Sequence, residues 1–104
     1  MVRFLSINVR GLRKRSVRRT VFQYLKTKQI DIVCLQETYI TNDVKDAWTK
    51  EWGGKLYAHP CTSHSKGQII LIAENFDCNN VEFINLSDRS IGVKFIHHGE
   101  KFVC

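Results

Sequence analysis

The chain has 104 residues, 43% hydrophobic and 25% charged, the balance of an ordinary globular domain or of a piece of one, which excludes a disordered or fibrous polypeptide. No stretch approaches the roughly 18 apolar residues of a membrane span, and the opening MVRFLSINVRG has too short an apolar run for a signal peptide. An intracellular protein with no membrane partner is expected. The formal charge of +6 suits a polyanionic partner but says nothing about a site.

In chain order, residues 2–8, VRFLSIN, are short and apolar and end near Gly11, as a buried strand does. From Ser16, which suits an N-cap, Val17, Val21, Tyr24 and Leu25 recur at the spacing of one helix face. The opposite side carries Arg15, Arg18, Arg19 and Lys26, so the basic residues are expected to face away from the core. Residues 30–35, IDIVCL, form a near-continuous apolar run of the kind found in a parallel strand covered on both faces. Strand, helix and strand make a βαβ unit, whose two strands run parallel, with a right-handed crossover if they are adjacent in one sheet, so that their carboxyl ends lie at the same edge.

Asn42 is a candidate cap for a short helix in which Val44, Ala47, Trp48 and Trp52 share a face, so the two tryptophans are read as core rather than as base-stacking groups. After Gly53-Gly54 the pieces KLYAH, GQIILIAE, NVEFINL, SIGVKFIH and EKFVC read as strands separated by polar turns, a mainly antiparallel meander. No repeat, low-complexity tract or linker divides the chain, which reads as one α/β unit. Cys34, Cys61, Cys78 and Cys104 stand far apart without a C-x-x-C pair and are read as packing thiols.

Two polar side chains fall where the parallel strands stop, Asn8 after FLSI and Glu37 after IVCLQ. Ligands of open α/β sheets gather at this edge, and a carboxylate there is a suitable hard-oxygen ligand for Mg²⁺, which takes one or two protein carboxylates and fills its other positions with water and phosphate. On geometry alone the pair also fits a turn residue and a solvent-facing strand end. Arg10, Arg13, Lys14, Arg15, Arg18 and Arg19 crowd the stretch between the first strand and the helix, where they would either grip phosphates or form a solvated face.

The wording of three blocks goes further. SINVRGL at 6–12, DIVCLQET at 31–38 and SKGQIILI at 65–72, with W-x-x-x-W-G-G-x-x-Y from Trp48 to Tyr57 between the last two, resemble the first signature blocks of the endonuclease/exonuclease/phosphatase family in order and spacing, over essentially the whole chain. Gly11-Leu12 and Thr38 look like the DNA-cutting branch. Arg10-Gly11-Leu12, Tyr39-Ile40 and Ser65-Lys66-Gly67 look more like LINE-type retrotransposon endonucleases than abasic-site repair enzymes.

The resemblance implies the amino-terminal portion, residues 1–104, of a single two-sheet α/β sandwich domain cut short at its carboxyl end. Glu37 would be the Mg²⁺ ligand, Asn8 would support the metal site and the scissile phosphate, and Arg10, Arg13, Lys14 and Arg15 would hold DNA. The family's later Tyr, Asp-x-Asn and Asp-His blocks would lie beyond Cys104, so this length is expected to lack activity. The parent protein would be nuclear and continue into a reverse transcriptase. An abasic-site repair endonuclease is the alternative enzyme; a non-catalytic basic nucleic-acid-binding remnant is the alternative of another class.

Gln68, where the family has a small or branched apolar residue, puts the packing of its strand in doubt. His59, Cys61 and His64 lack a fourth partner for a structural zinc site and are read as a surface loop. His97-His98 is read as a solvent-facing strand end, and Asn85-Leu86-Ser87 is given no role as a glycosylation acceptor in the absence of a secretory signal.

Overall fold

The computed structural model describes residues 2–87 and 90–103; Cys104, read above as a packing thiol, lies outside them. Strand β1 (Phe4–Asn8) leads through α1 (Arg15–Thr27) to β2 (Ile32–Gln36). A 3-10 turn (Asn42–Val44) precedes α2 (Lys45–Trp52), and the strands β3 (Lys55–His59), β4 (Gln68–Ile72), β5 (Asn79–Ser87), β6 (Ser90–His97) and β7 (Glu100–Val103) follow. Among the described residues no helix is long and apolar enough to cross a membrane.

The strands form two sheets, one ordered β1-β2-β4-β3 and the other β5-β6-β7. The βαβ expectation holds: β1 and β2 are parallel neighbours, with Asn8 opposite Gln36. The second half is a meander only in part. β3 and β4 are an antiparallel pair, but β4 inserts beside β2 and completes the first sheet, and only β5, β6 and β7 form a sheet of their own.

Burial explains the insertion. Ile69, Ile70, Leu71 and Ile72 are all buried, so β4 is apolar on both faces, and such a strand is stable only in the middle of a sheet covered on both sides. Ile69 and Leu71 join Val33 and Leu35 of β2 in a core beneath the helices, with Leu12, Phe22, Leu25, Trp48 and Trp52. Ile70 and Ile72 face the other way and pack with Ile32, Val93 and Phe95 between the sheets. Stacked rings of Tyr57 and Phe83, 5.6 Å apart, tie the sheets together, and Phe76 meets Phe95 edge-on at 5.7 Å. The result is a helix–sheet–sheet sandwich, as expected. Gln68 does not disturb it: half-buried at the start of β4, it pairs in register with Gln36, and the next four residues are buried.

Helix α1 departs from its expected orientation. Its buried residues are Arg18, Phe22 and Leu25, whereas Val17 and Tyr24, assigned to the core face, are 40% and 49% exposed. The buried stripe lies one residue further round, because Arg18 is neutralised where it enters the core. Its Nε and Nη2 each donate to one oxygen of Glu51 at 2.9 Å, and Nη1 donates to the carbonyls of Leu12 at 3.0 Å and Arg13 at 3.1 Å. The guanidinium lies 4.7 Å from the centre of the Trp48 ring. Arg18 therefore leaves the solvated basic cluster to which the sequence pattern assigned it.

Two end signals also shift. Lys14, not Ser16, is the N-cap of α1, in extended conformation with no side-chain cap, and Asn42 lies inside the 3-10 turn, behind Thr41. Trp48 and Trp52 are core residues, but Ala47 faces solvent.

Candidate active site at the carboxyl edge of the parallel strands

Asn8 ends β1 and Glu37 follows β2, so the register that sets Asn8 opposite Gln36 brings the two side chains together. Asn8 Nδ2 donates a short hydrogen bond to Glu37 Oε2, while Asn8 Oδ1 accepts from the backbone N–H of Arg10 at 3.1 Å. Beyond the strands the ladder continues between loops: Val9 N–H bonds to Gln36 O, Gly11 N–H to Glu37 O and Leu12 N–H to Thr38 O. Arg10, Glu37 and Tyr39 have φ of 53°, 55° and 57°, a left-handed conformation that costs a non-glycine residue about 1–2 kcal/mol. These interlocked backbone bonds hold it.

A third segment closes the site. Thr38 N–H donates to Gly67 O at 3.1 Å and Tyr39 N–H to Lys66 O at 2.8 Å. Gly67 has φ +82°, and a Cβ there would lie 3.1 Å from Thr38 Oγ1 and 3.2 Å from the nitrogens of Tyr39 and Ile40. The position suits glycine because backbone lies against backbone. The approach carries Lys66 beside the carboxylate, with Nζ 3.5 Å from Glu37 Oε1. A cavity of about 330 Å³ opens here, lined by Gln36, Glu37, His64, Ser65, Lys66, Gly67 and Gln68.

The Asn8 hydrogen bond, reinforced by the charges of Lys66 and Arg10 against partial desolvation, holds the Glu37 carboxyl below its ordinary pKa. Glu37 is thus ionised at neutral pH. The stability these contacts contribute is present above the ordinary carboxylate pKa and is lost as pH falls through the lowered value.

The other expected site residues divide. Arg13 is drawn to the site: its Nε donates to Tyr39 O at 3.1 Å, its guanidinium lies 5.7 Å from the Tyr39 ring centre, and its Nη2 lies 3.6 Å from Cys61 Sγ. Cys61 is therefore a neighbour of this edge, while half-buried Cys34 and Cys78 pack between the sheets. Lys14 and Arg15 stand exposed where α1 begins, and Arg10 is exposed beside Asn8.

His59 meets the carbonyl of Pro60, and His64 lines the cavity. Among the described residues no three His, Cys, Asp or Glu side chains converge to hold a metal. The sequence pattern did not single out Lys66 as a site residue. Its block served only the resemblance, and a glycine before an apolar strand was the available sign of a close backbone approach.

Asn8 and Glu37 offer hard oxygen atoms at an open edge, a donor set that fits Mg²⁺ in the mode that leaves most positions to water and phosphate. The site is thus a carboxylate–amide pair at the carboxyl edge of the parallel strands of a two-sheet α/β sandwich, with Lys66 and Arg10 beside it. Residues 5–98 match the Endonuclease/Exonuclease/phosphatase family, and the chain belongs to that family, whose members are phosphodiester hydrolases.

Among solved structures, an AP endonuclease from Archaeoglobus fulgidus is 22% identical with a TM-score of 0.60, over 99% of this chain and 40% of its own. TDP2 from Caenorhabditis elegans is 22% identical with a TM-score of 0.64, over 98% of this chain and 33% of its own. A family protein from Leptotrichia buccalis is 13% identical with a TM-score of 0.62, over 99% of this chain and 52% of its own. At these identities the likeness is one of fold, and the chain spans between a third and about half of each structure. No curated protein matches the chain.

Proposed function

We propose that residues 1–104 are the amino-terminal portion of a Mg²⁺-dependent DNA endonuclease domain of the LINE type. The observation that carries the nuclease reading is the Asn8–Glu37 pair at the shared edge of β1 and β2, with Lys66 3.5 Å from the carboxylate. Glu37 would hold the ion, with Asn8 supporting the site by hydrogen bonding, and the ion would supply charge stabilisation for phosphoryl and leaving oxygens. Asn8 orients the carboxylate, and the loop bonds from Gly11, Leu12, Thr38 and Tyr39 keep its backbone in place.

The LINE assignment rests on the wording of Arg10-Gly11-Leu12, Tyr39-Ile40 and Ser65-Lys66-Gly67. It carries a nuclear parent protein with a downstream reverse transcriptase.

One carboxylate and one amide place a phosphate but do not complete the base and the leaving-group stabiliser that hydrolysis needs. The 104 residues alone are accordingly expected not to nick supercoiled DNA with Mg²⁺, whereas a polypeptide extended along the same reading frame through the rest of the domain should. A plasmid-nicking assay on both forms tests this. Metal-dependent nicking by the short chain, or none by the extended one, would contradict the reading.

Arg10, Arg13, Lys14 and Arg15 are assigned to phosphate positioning, which carries no sequence information. Replacing Arg13, Lys14 and Arg15 with Gln should weaken binding to all DNA sequences alike. The slope of log K against log[salt] should flatten by about 0.9 for each DNA phosphate that the protein no longer neutralises. A slope unchanged from wild type would make these side chains a solvated face.

A further inference from the structure

Both carboxylate oxygens of Glu37 are engaged: Oε2 accepts from Asn8, and Oε1 faces the Lys66 ammonium at 3.5 Å. The two partners differ in how firmly they are held. Asn8 sits in a strand and is fixed by a second bond to Arg10 N–H. Lys66 is anchored only through its backbone, by Tyr39 N–H on its carbonyl. Its side chain is 63% exposed, on a flexible four-carbon stem that moves at little cost.

A divalent ion held by the Glu37 carboxylate would stand beside that ammonium. Two cations so close repel unless the lysine leaves or an anion comes between them. The cavity of about 330 Å³ lined by Glu37 and Lys66 leaves room for a phosphate group in that place.

We propose that Lys66 couples cation binding to phosphate binding at this edge: its ammonium neutralises Glu37 before a divalent cation arrives, and turns to a phosphate oxygen once the cation has taken the carboxylate. The proposal rests on Glu37 being the metal ligand. Lys66 then opposes the metal alone and favours metal and phosphate together. A lysine suits this exchange because it binds phosphate as a movable point charge, without the fixed fork of arginine. The substrate's own phosphate thus relieves the repulsion, so that the cation is held most tightly when substrate is present.

The test is calorimetric titration of the 104-residue chain with Mg²⁺, with and without excess inorganic phosphate, on wild type, Lys66→Met and Glu37→Gln, with circular dichroism to check folding. Without phosphate, Lys66→Met should bind Mg²⁺ about twofold to fivefold more tightly than wild type, the range set by loss of an exposed ion pair. Phosphate should tighten Mg²⁺ binding by the wild type severalfold and have little effect on Lys66→Met. Mg²⁺ affinity unchanged in Lys66→Met, or a phosphate gain equal to that of wild type, overturns the proposal. Glu37→Gln separates the two readings. If it abolishes Mg²⁺ binding while Lys66→Met is indifferent, only the role of Lys66 falls; if it binds Mg²⁺ like wild type, or if wild type binds none, the metal-ligand reading falls and this proposal with it.

Discussion

Glu37→Gln, made in a polypeptide that completes the domain, should lower Mg²⁺-dependent nicking of supercoiled DNA by about two orders of magnitude or more, the size expected when a charge that holds a metal at a reacting phosphate is removed. The amide keeps the shape of the side chain and loses its charge. Glu37 is exposed enough, at 29% of its side chain, that a near-isosteric change should leave the fold intact. Its backbone is held by the Gly11 and Leu12 bonds to the Glu37 and Thr38 carbonyls, whatever the side chain. The variant should therefore melt like the wild type while failing to nick. Near-normal nicking in a plasmid assay would show that Glu37 is not the metal ligand.

Arg18→Ala should cost about 2–4 kcal/mol of unfolding free energy, within or just below the range for breaking a buried ion pair by removing one partner. Three losses combine. Glu51, 26% exposed, keeps its charge without its bidentate partner. The carbonyls of Leu12 and Arg13 lose their shared donor, and the Trp48 ring loses the guanidinium stacked over it. The access of water to Glu51 keeps the figure from being higher.

The same side chain ties the Leu12–Arg13 loop to α2 through Glu51, so the damage should extend to the loop that carries Arg13 towards Tyr39. Urea denaturation followed by circular dichroism measures the cost. Replacing the pair together, Arg18→Met with Glu51→Leu, should recover much of the loss, because an apolar pair leaves no stranded charge. A change within about 0.5 kcal/mol for Arg18→Ala would match an ordinary surface substitution and restore the solvated-face reading of α1.

The parts of the site that sequence reveals are those set by short-range pattern. Apolar runs at 2–8 and 30–35 with a helical period between them define a βαβ unit, and the parallel direction of its two strands then places Asn8 and Glu37 at one edge. Trp48 and Trp52 are likewise legible as core, since a one-turn spacing in a helix puts both on one face. The class of the fold, two sheets with helices outside, follows from the same reading together with the signature blocks.

What the pattern could not carry depends on partners distant in the chain. Arg18 counts as polar in any helical wheel, and only Glu51, 33 residues later, makes its burial possible, which moves the core face of α1 from Val17 and Tyr24 to Phe22. The strands β3 and β4 look like the start of a meander until β4 is seen to need cover on both faces and takes the place beside β2. Lys66 reaches Glu37 because Gly67 lets two backbones touch. Local periodicity records which side chains avoid water; which charges neutralise one another, and which loop closes on which, is settled only when the chain has packed.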